Sequence, residues 1–264
     1  MAPYGVSETA LKPVYGMAEN TLATTMPSLS DAPLVDWVER ERYESEGRAV
    51  PSRAEGALGW VSVGRVLFGQ SLKVASASGD ELPDRRVGRL LVRSPSLHSA
   101  ILRGESLVPR SGEWLDTGDL GYCADGNLYV TGRARDIVIK GGRNVSPERI
   151  EELASTTSDR IGRCVAFGVH DESRETERLV VAAEVHPRLA FDSAERDRLR
   201  LAVRSELAGA GYQVDEVVLL RRGTLPRTTS GKLRRGAARS LYLAGDVRFR
   251  PESFLGQRDE DGEW

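Results

Sequence analysis

The stretch YVTGRARDIVIKGGRNVSPERIE, residues 129–151, is where the chain changes its period. Its first part completes NLYVTGR (127–133), which alternates like a strand after the turn-forming ADG. DIVIK (136–140) reads as another strand and GGRN as a turn. SPERIEELAS (146–155) then starts a helix, with Ser146 at the N-cap and Pro147 at the first helical position. Further on, CVAFGV and LVVAAEV read as strands. DSAERDRLRLAVRSELAGAG (192–211) carries Leu199, Val203 and Leu207 on one helical face, with Gly209 near its end. EVVLL is a strand and LRRGAARSLYL a short helix. This α-β-β-α-β-α order predicts a small α+β domain.

Upstream the pattern is different. WVSVGRVLFGQSLKVAS (60–76) and VGRLLVRSP (87–95) alternate as strands do, and LKPVYGMAENTLATTMP (11–27) reads as a strand leaving a loop. Residues 28–56 are charged and irregular, with one short helix expected around 35–43. The expected fold class is therefore α+β: a mostly β segment, 1–133, followed by a small α+β domain, 134–264, with a hinge near 133–136.

Composition sets bounds on function. The 264 residues are 40% apolar and 29% charged, which suits a globular protein. A net charge of −2 argues against general nucleic-acid binding. No apolar run approaches the ~18 residues of a membrane span, and no signal peptide stands at the N-terminus, so a cytoplasmic protein is expected. Cys123 and Cys164 lie far apart and have no metal-type spacing; two reduced, inert thiols are expected. The acidic end GQRDEDGEW is expected to fray.

LPRTTSGKLRRGA (225–237) sets Lys232 in a hydroxyl-rich turn. It is not a triphosphate-binding P-loop. Pro226 stands where the first glycine should be, Leu233 follows the lysine where Ser or Thr should be, and no other Gly-Lys pair occurs. Lys232 must be judged by its company: VYGMAENT (14–21), WLDTGDLGY (114–122) and the 129–151 stretch.

Together, in this order, the four stretches resemble the adenylate-forming superfamily, which joins a carboxylic acid to ATP as an acyl-AMP. The resemblance runs from about Val14 to Leu243 and is strongest to the fatty-acyl-AMP ligases. YGMAE, GRN-x-SP-E-x-IE and SGK-x-RRGA carry it. It implies that residues 1–133 belong to the large AMP-binding domain and 134–264 to the small C-terminal lid. Residues 35–57 fall where these ligases carry an extra insertion.

The resemblance also implies a site. Tyr15, followed by Gly16, offers a flat face for adenine; the alternative is a strand aromatic in the core. Glu19 is a hard oxygen ligand for Mg2+, or else a surface carboxylate. Asp119 would accept from both ribose hydroxyls, with Thr117 beside it; the alternative is a turn-forming aspartate. Arg133 would pair with ribose or α-phosphate through its planar fork. Lys232 matches the catalytic lysine, which stabilises charge at the phosphorus as carboxylate attacks. Its alternative is a solvated basic loop shared with Arg227, Arg234 and Arg235. Thr228, Thr229, Ser230 and Gly231 are expected to keep that loop mobile until nucleotide orders it. Arg135 takes the hinge position.

The implied reaction is ATP-dependent activation of a fatty acid for transfer to the thiol of an acyl carrier protein, or of a polyketide or peptide synthase carrier domain. ATP and Mg2+ are the implied cofactors. Asn20 and Val145 depart from the family pattern. No S-S-G-T-T-G-x-P-K string for the β- and γ-phosphates occurs in the chain, so weak or absent turnover is expected from it alone, and a separate N-terminal half is a candidate partner. Two other functions fit the same residues: a non-catalytic module docking on a carrier protein or a full-length ligase, and part of an acyl-CoA synthetase or peptide-synthetase adenylation domain.

Overall fold

The structure, a computed structural model, describes residues 4–171, 176–186 and 193–249. The acidic end lies outside them. The chain divides into two compact units, Met1–Arg135 and Asp136–Trp264.

The first unit is built from antiparallel sheets. Its largest has four strands in the order Asn127–Arg133, Leu115–Ala124, Gly88–Arg93, Ser71–Ala75. Leu115–Ala124 and Asn127–Arg133 form a hairpin, closed by Asp125 and Gly126, both at positive φ. Two such residues match the twist of the flanking strands, and the DG pair supplies them cheaply. A three-stranded sheet joins Tyr15–Gly16, Ala23–Met26 and Arg65–Val66. Tyr15, Val74, Leu90 and Leu128 share one core cluster. A second cluster includes Val38, Tyr43, Leu58 and Tyr122.

One expectation for this unit needs correction. Residues 35–38 are a strand, Val35–Val38, paired with Leu58–Val61; the helix begins later, at Arg40–Glu46. Val35 and Trp37 share one face of the strand and Val38 is buried on the other, with the Trp37 ring lying over Gly59, where a Cβ would come within 2.9 Å of it. Residues 100–109 form the hairpin Ala100–Arg103/Ser106–Pro109.

The second unit centres on a three-stranded sheet. Ile161–Asp171 pairs antiparallel with Thr176–Val185, which pairs in parallel with Glu216–Arg221. The parallel pair is joined across the helix Ser193–Gly209, as a parallel connection requires. Both faces of the sheet are covered, which is why LVVAAEV is apolar on both sides apart from Glu184. Alternation sorts the faces. Val181, Ala183, Val217 and Leu219 meet Leu199, Val203 and Leu207 of the long helix and Ile150 of helix Pro147–Thr156. Val180, Ala182, Val218 and Leu220 face Leu225 and Ala238, the latter on helix Arg235–Leu243. Ser146 occupies the N-cap position, but its hydroxyl donates to the Glu148 carboxylate (2.8 Å) rather than capping a backbone N–H. Val145 is buried and pairs with Val138. Among the described residues, no helix is long and apolar enough to cross a membrane.

Candidate nucleotide site and lysine turn

The TGD triplet is a bulge inside a strand rather than a turn between strands. Asp116 pairs with Leu91 and Leu120 with Arg89, so residues 117–119 oppose Leu90 alone. The extra residues are absorbed by Gly118 at φ 75° and by local side-chain bonds. Thr117 Oγ1 donates to the Leu90 carbonyl (3.0 Å) and accepts from the Asp119 N–H (3.1 Å). Asp116 Oδ1 accepts from the Gly118 N–H at 2.9 Å. The bulge re-aims Asp119 while keeping its backbone paired with Arg133.

Asp119 is thereby held by two partners. The Tyr15 hydroxyl donates to Oδ2 at 2.7 Å, and Arg133 Nε lies 3.3 Å from Oδ1. Asp119 is 16% exposed at its side chain and Arg133 57%. Each carboxylate oxygen has two lone pairs and so keeps acceptor capacity. Burial above all, with the Asp119 carboxylate adding to it, pushes the Tyr15 phenol far above its usual range, so it remains a donor. The Tyr15 ring is packed in the core at 9% exposure. The ring packs with Val74, Leu90 and Leu128, and the hydroxyl is the part that reaches Asp119.

Gly16 is required by space: a Cβ there would sit 1.7 Å from the Leu22 carbonyl oxygen. Glu19 is exposed on the short turn Ala18–Asn20. Asn20 is buried beneath it, donating to Thr24 Oγ1 (3.0 Å) and Gln70 Oε1 (2.7 Å). Among the described residues no cluster of three or more His, Cys, Asp or Glu forms a cation cage. A lone exposed carboxylate fits Mg2+ of the kind that is held mainly by substrate phosphates and water.

Lys232 belongs to the second unit. Its turn is closed by its own bonds. The Thr228 N–H donates to the Lys232 carbonyl (2.8 Å), the Lys232 N–H to Thr228 Oγ1 (3.1 Å) and the Gly231 N–H to the Thr228 carbonyl (2.9 Å). Gly231 has φ 83°, which the tight turn needs. Not all the neighbouring arginines are solvated. Arg235 is 14% exposed and meets Asp136 (2.6 Å), Glu148 (2.9 Å) and Glu151 (3.0 Å). Arg227 reaches Glu184. Glu184 and Gln70 carry no local sequence signal, because their partners are distant in the chain. Arg135 lies in the turn following Arg133, at the boundary of the two units.

No family model matches the chain. It is 32% identical to the long-chain-fatty-acid–AMP ligase FadD32 of Mycobacterium marinum, over 93% of this chain and 46% of that protein. It is 33% identical to the 4-hydroxyphenylalkanoate adenylyltransferase of Mycobacterium tuberculosis, over 92% of this chain and 41% of the relative. Among solved structures, a fatty acyl-adenylate ligase from a study of the E. coli and L. pneumophila enzymes superposes with a TM-score of 0.81 at 29% identity, covering 93% of this chain and 44% of that one. The chain thus spans less than half the length of these relatives. The relatives are fatty-acyl-AMP ligases and adenylyltransferases, and on shared sequence and fold the chain corresponds to the C-terminal half of an adenylate-forming enzyme.

Proposed function

We propose that this chain supplies the ribose grip and the α-phosphate cation of an acid–AMP ligase that activates a fatty acid with ATP. The observation that carries the reading is Asp119, turned by a bulge and held between the Tyr15 hydroxyl and Arg133. A fixed, partly buried carboxylate is suited to accept hydrogen bonds from the two hydroxyls of a ribose. Arg133, more than half exposed, has room to engage ribose or phosphate. Thr117 and Gly16 serve the site by shaping the backbone around it. In the reaction a fatty-acid carboxylate oxygen bonds to the α-phosphorus, the bond to the β-phosphate oxygen breaks, and pyrophosphate departs. Lys232 would place its ammonium beside the phosphorus as charge accumulates. Glu19 would ligate Mg2+, which neutralises phosphate charge. Residues 1–133 act as part of the AMP-binding domain and 134–264 as a lid rotating about Arg135. The rotation admits a carrier-protein thiol, which attacks the acyl carbon and releases AMP.

Calorimetry of the chain with an acyl-sulfamoyl adenosine, which cannot be hydrolysed, tests the reading. Saturable binding is expected, weakened on the order of 10–100-fold by Asp119→Ala, since a hydrogen bond to a charged group contributes about 1.5–3 kcal/mol. Affinity unchanged by that substitution refutes the assignment. Where the protein catalyses ATP–pyrophosphate exchange, Lys232→Ala should lower it about 100–1000-fold.

A further inference from the structure

The turn that carries Lys232 runs into buried charge at both ends. Glu184 lies in the apolar strand Thr176–Val185 and is 2% exposed. Alternation along the strand sends it to the same face as Val180 and Ala182, where Leu225 and the last helix pack. There Oε1 accepts from the N–H groups of Gly223 and Leu225, both at 2.9 Å, and Oε2 from the Arg227 guanidinium at 3.3 Å. A carboxylate buried among valines and alanines carries a heavy desolvation cost. These three bonds offset it, and all three donors belong to the segment that leads into the lysine turn. At the other end stands Arg235, three residues after Lys232. Its guanidinium is clamped by Glu151, which also accepts from the Ala166 N–H (2.9 Å), and by Asp136 and Glu148.

We propose that Glu184 and Arg235 are positioning residues for Lys232. They hold the two ends of a pre-formed turn, so the ammonium is presented from a fixed base instead of from a loop that orders when nucleotide arrives. The proposal rests on the reading of Lys232 as the α-phosphate cation. A charge held in place beforehand needs no reorganisation as the transition state forms, which is what electrostatic catalysis requires. Neither residue touches the reacting atoms; both act through the backbone between Gly223 and Arg235.

The test is amide exchange and heteronuclear NOE at Gly231 and Lys232 in the 15N-labelled full chain. In the unsubstituted protein both amides should be as ordered as those of Ile161–Asp171. Glu184→Ala should speed their exchange on the order of 10-fold and lower their NOE, with that strand unaffected. Glu184→Gln keeps an acceptor for the two backbone N–H groups and should restore most of the protection. Gly231 and Lys232 equally ordered in Glu184→Ala, or a loss spread evenly over the second unit without rescue by Gln, overturns the proposal. Should Glu184→Ala fail to fold, Arg235→Lys carries the test from the other end. It keeps the charge but loses the planar fork, and disorder confined to 228–232 is expected; an unchanged NOE at Lys232 counts against the proposal. Lys232→Ala separates the two ideas: it should leave the turn ordered whether or not the lysine is catalytic, so a failed exchange assay and a failed order measurement are read independently.

Discussion

Replacing Arg235 by alanine removes one cation from among three carboxylates. Asp136 and Glu151 are 14% and 19% exposed at their side chains, so water reaches them poorly; Glu148 is half-exposed and adds little. Breaking a buried pair by deleting one partner costs about 3–5 kcal/mol, because the other charge stays behind. The loss should depend on pH. Glu151 already lies above the ordinary glutamate range, because burial outweighs the lowering pull of Arg235 and the Ala166 N–H. Without Arg235 it moves further up. A carboxyl that titrates higher in the folded state than in the unfolded one holds its proton more tightly when folded. Stability then falls as pH rises through the window that begins near 4.5, the unperturbed value. Arg235→Ala should therefore lose most at pH 8 and recover part of the deficit at pH 5. Urea unfolding followed by hydrogen exchange in peptides from Ile161–Asp171 and Thr176–Val185, at both pH values, measures this. A cost below about 1 kcal/mol, equal at pH 5 and 8, would show the guanidinium to be solvated and the clamp argument wrong.

Three further outcomes follow from the geometry. Gly16→Ala should destabilise the first unit by about 2–3 kcal/mol, since the Leu22 carbonyl occupies the space a Cβ needs; chemical denaturation read by tryptophan fluorescence reports it, and an unchanged midpoint contradicts the close approach. Tyr122→Phe should cost about 1.5–3 kcal/mol in the same assay, because its buried hydroxyl donates to Asp36 Oδ2 at 2.7 Å, the oxygen that Arg85 also engages. Burial pushes the Cys123 thiol up to about 11 and the Cys164 thiol up to about 12. At pH 8 about a thousandth or less of either is thiolate, so iodoacetamide should label the folded chain very slowly and the unfolded chain readily; rapid labelling of the native protein would contradict the burial.

Much of the second unit was legible because its signals are local. The long helix announces itself through Leu199, Val203 and Leu207, and LVVAAEV reads as a strand from its β-branched residues. Val35–Val38 was misread because a few alternating residues next to a charged helix give little periodicity to count, and their strand exists only through pairing with Leu58–Val61. The bulge at 117–119 was hidden for a related reason: TGD favours a turn in isolation, and only registry with Leu90 keeps it within a strand.

The sequence by itself determined the identities and order of the candidate groups, Tyr15, Glu19, Asp119, Arg133 and Lys232, and the periodicities around them, because side-chain chemistry and spacing are written residue by residue. Tertiary structure alone decided what those groups touch. Asp119 meets a phenol 104 residues away, Glu184 grips backbone 39 residues on, and Arg235 is clamped by Asp136 from 99 residues upstream. Contacts of that range depend on how strands are registered and faces buried, and a one-residue slip in their strands would turn Asp119 or Glu184 to the opposite face.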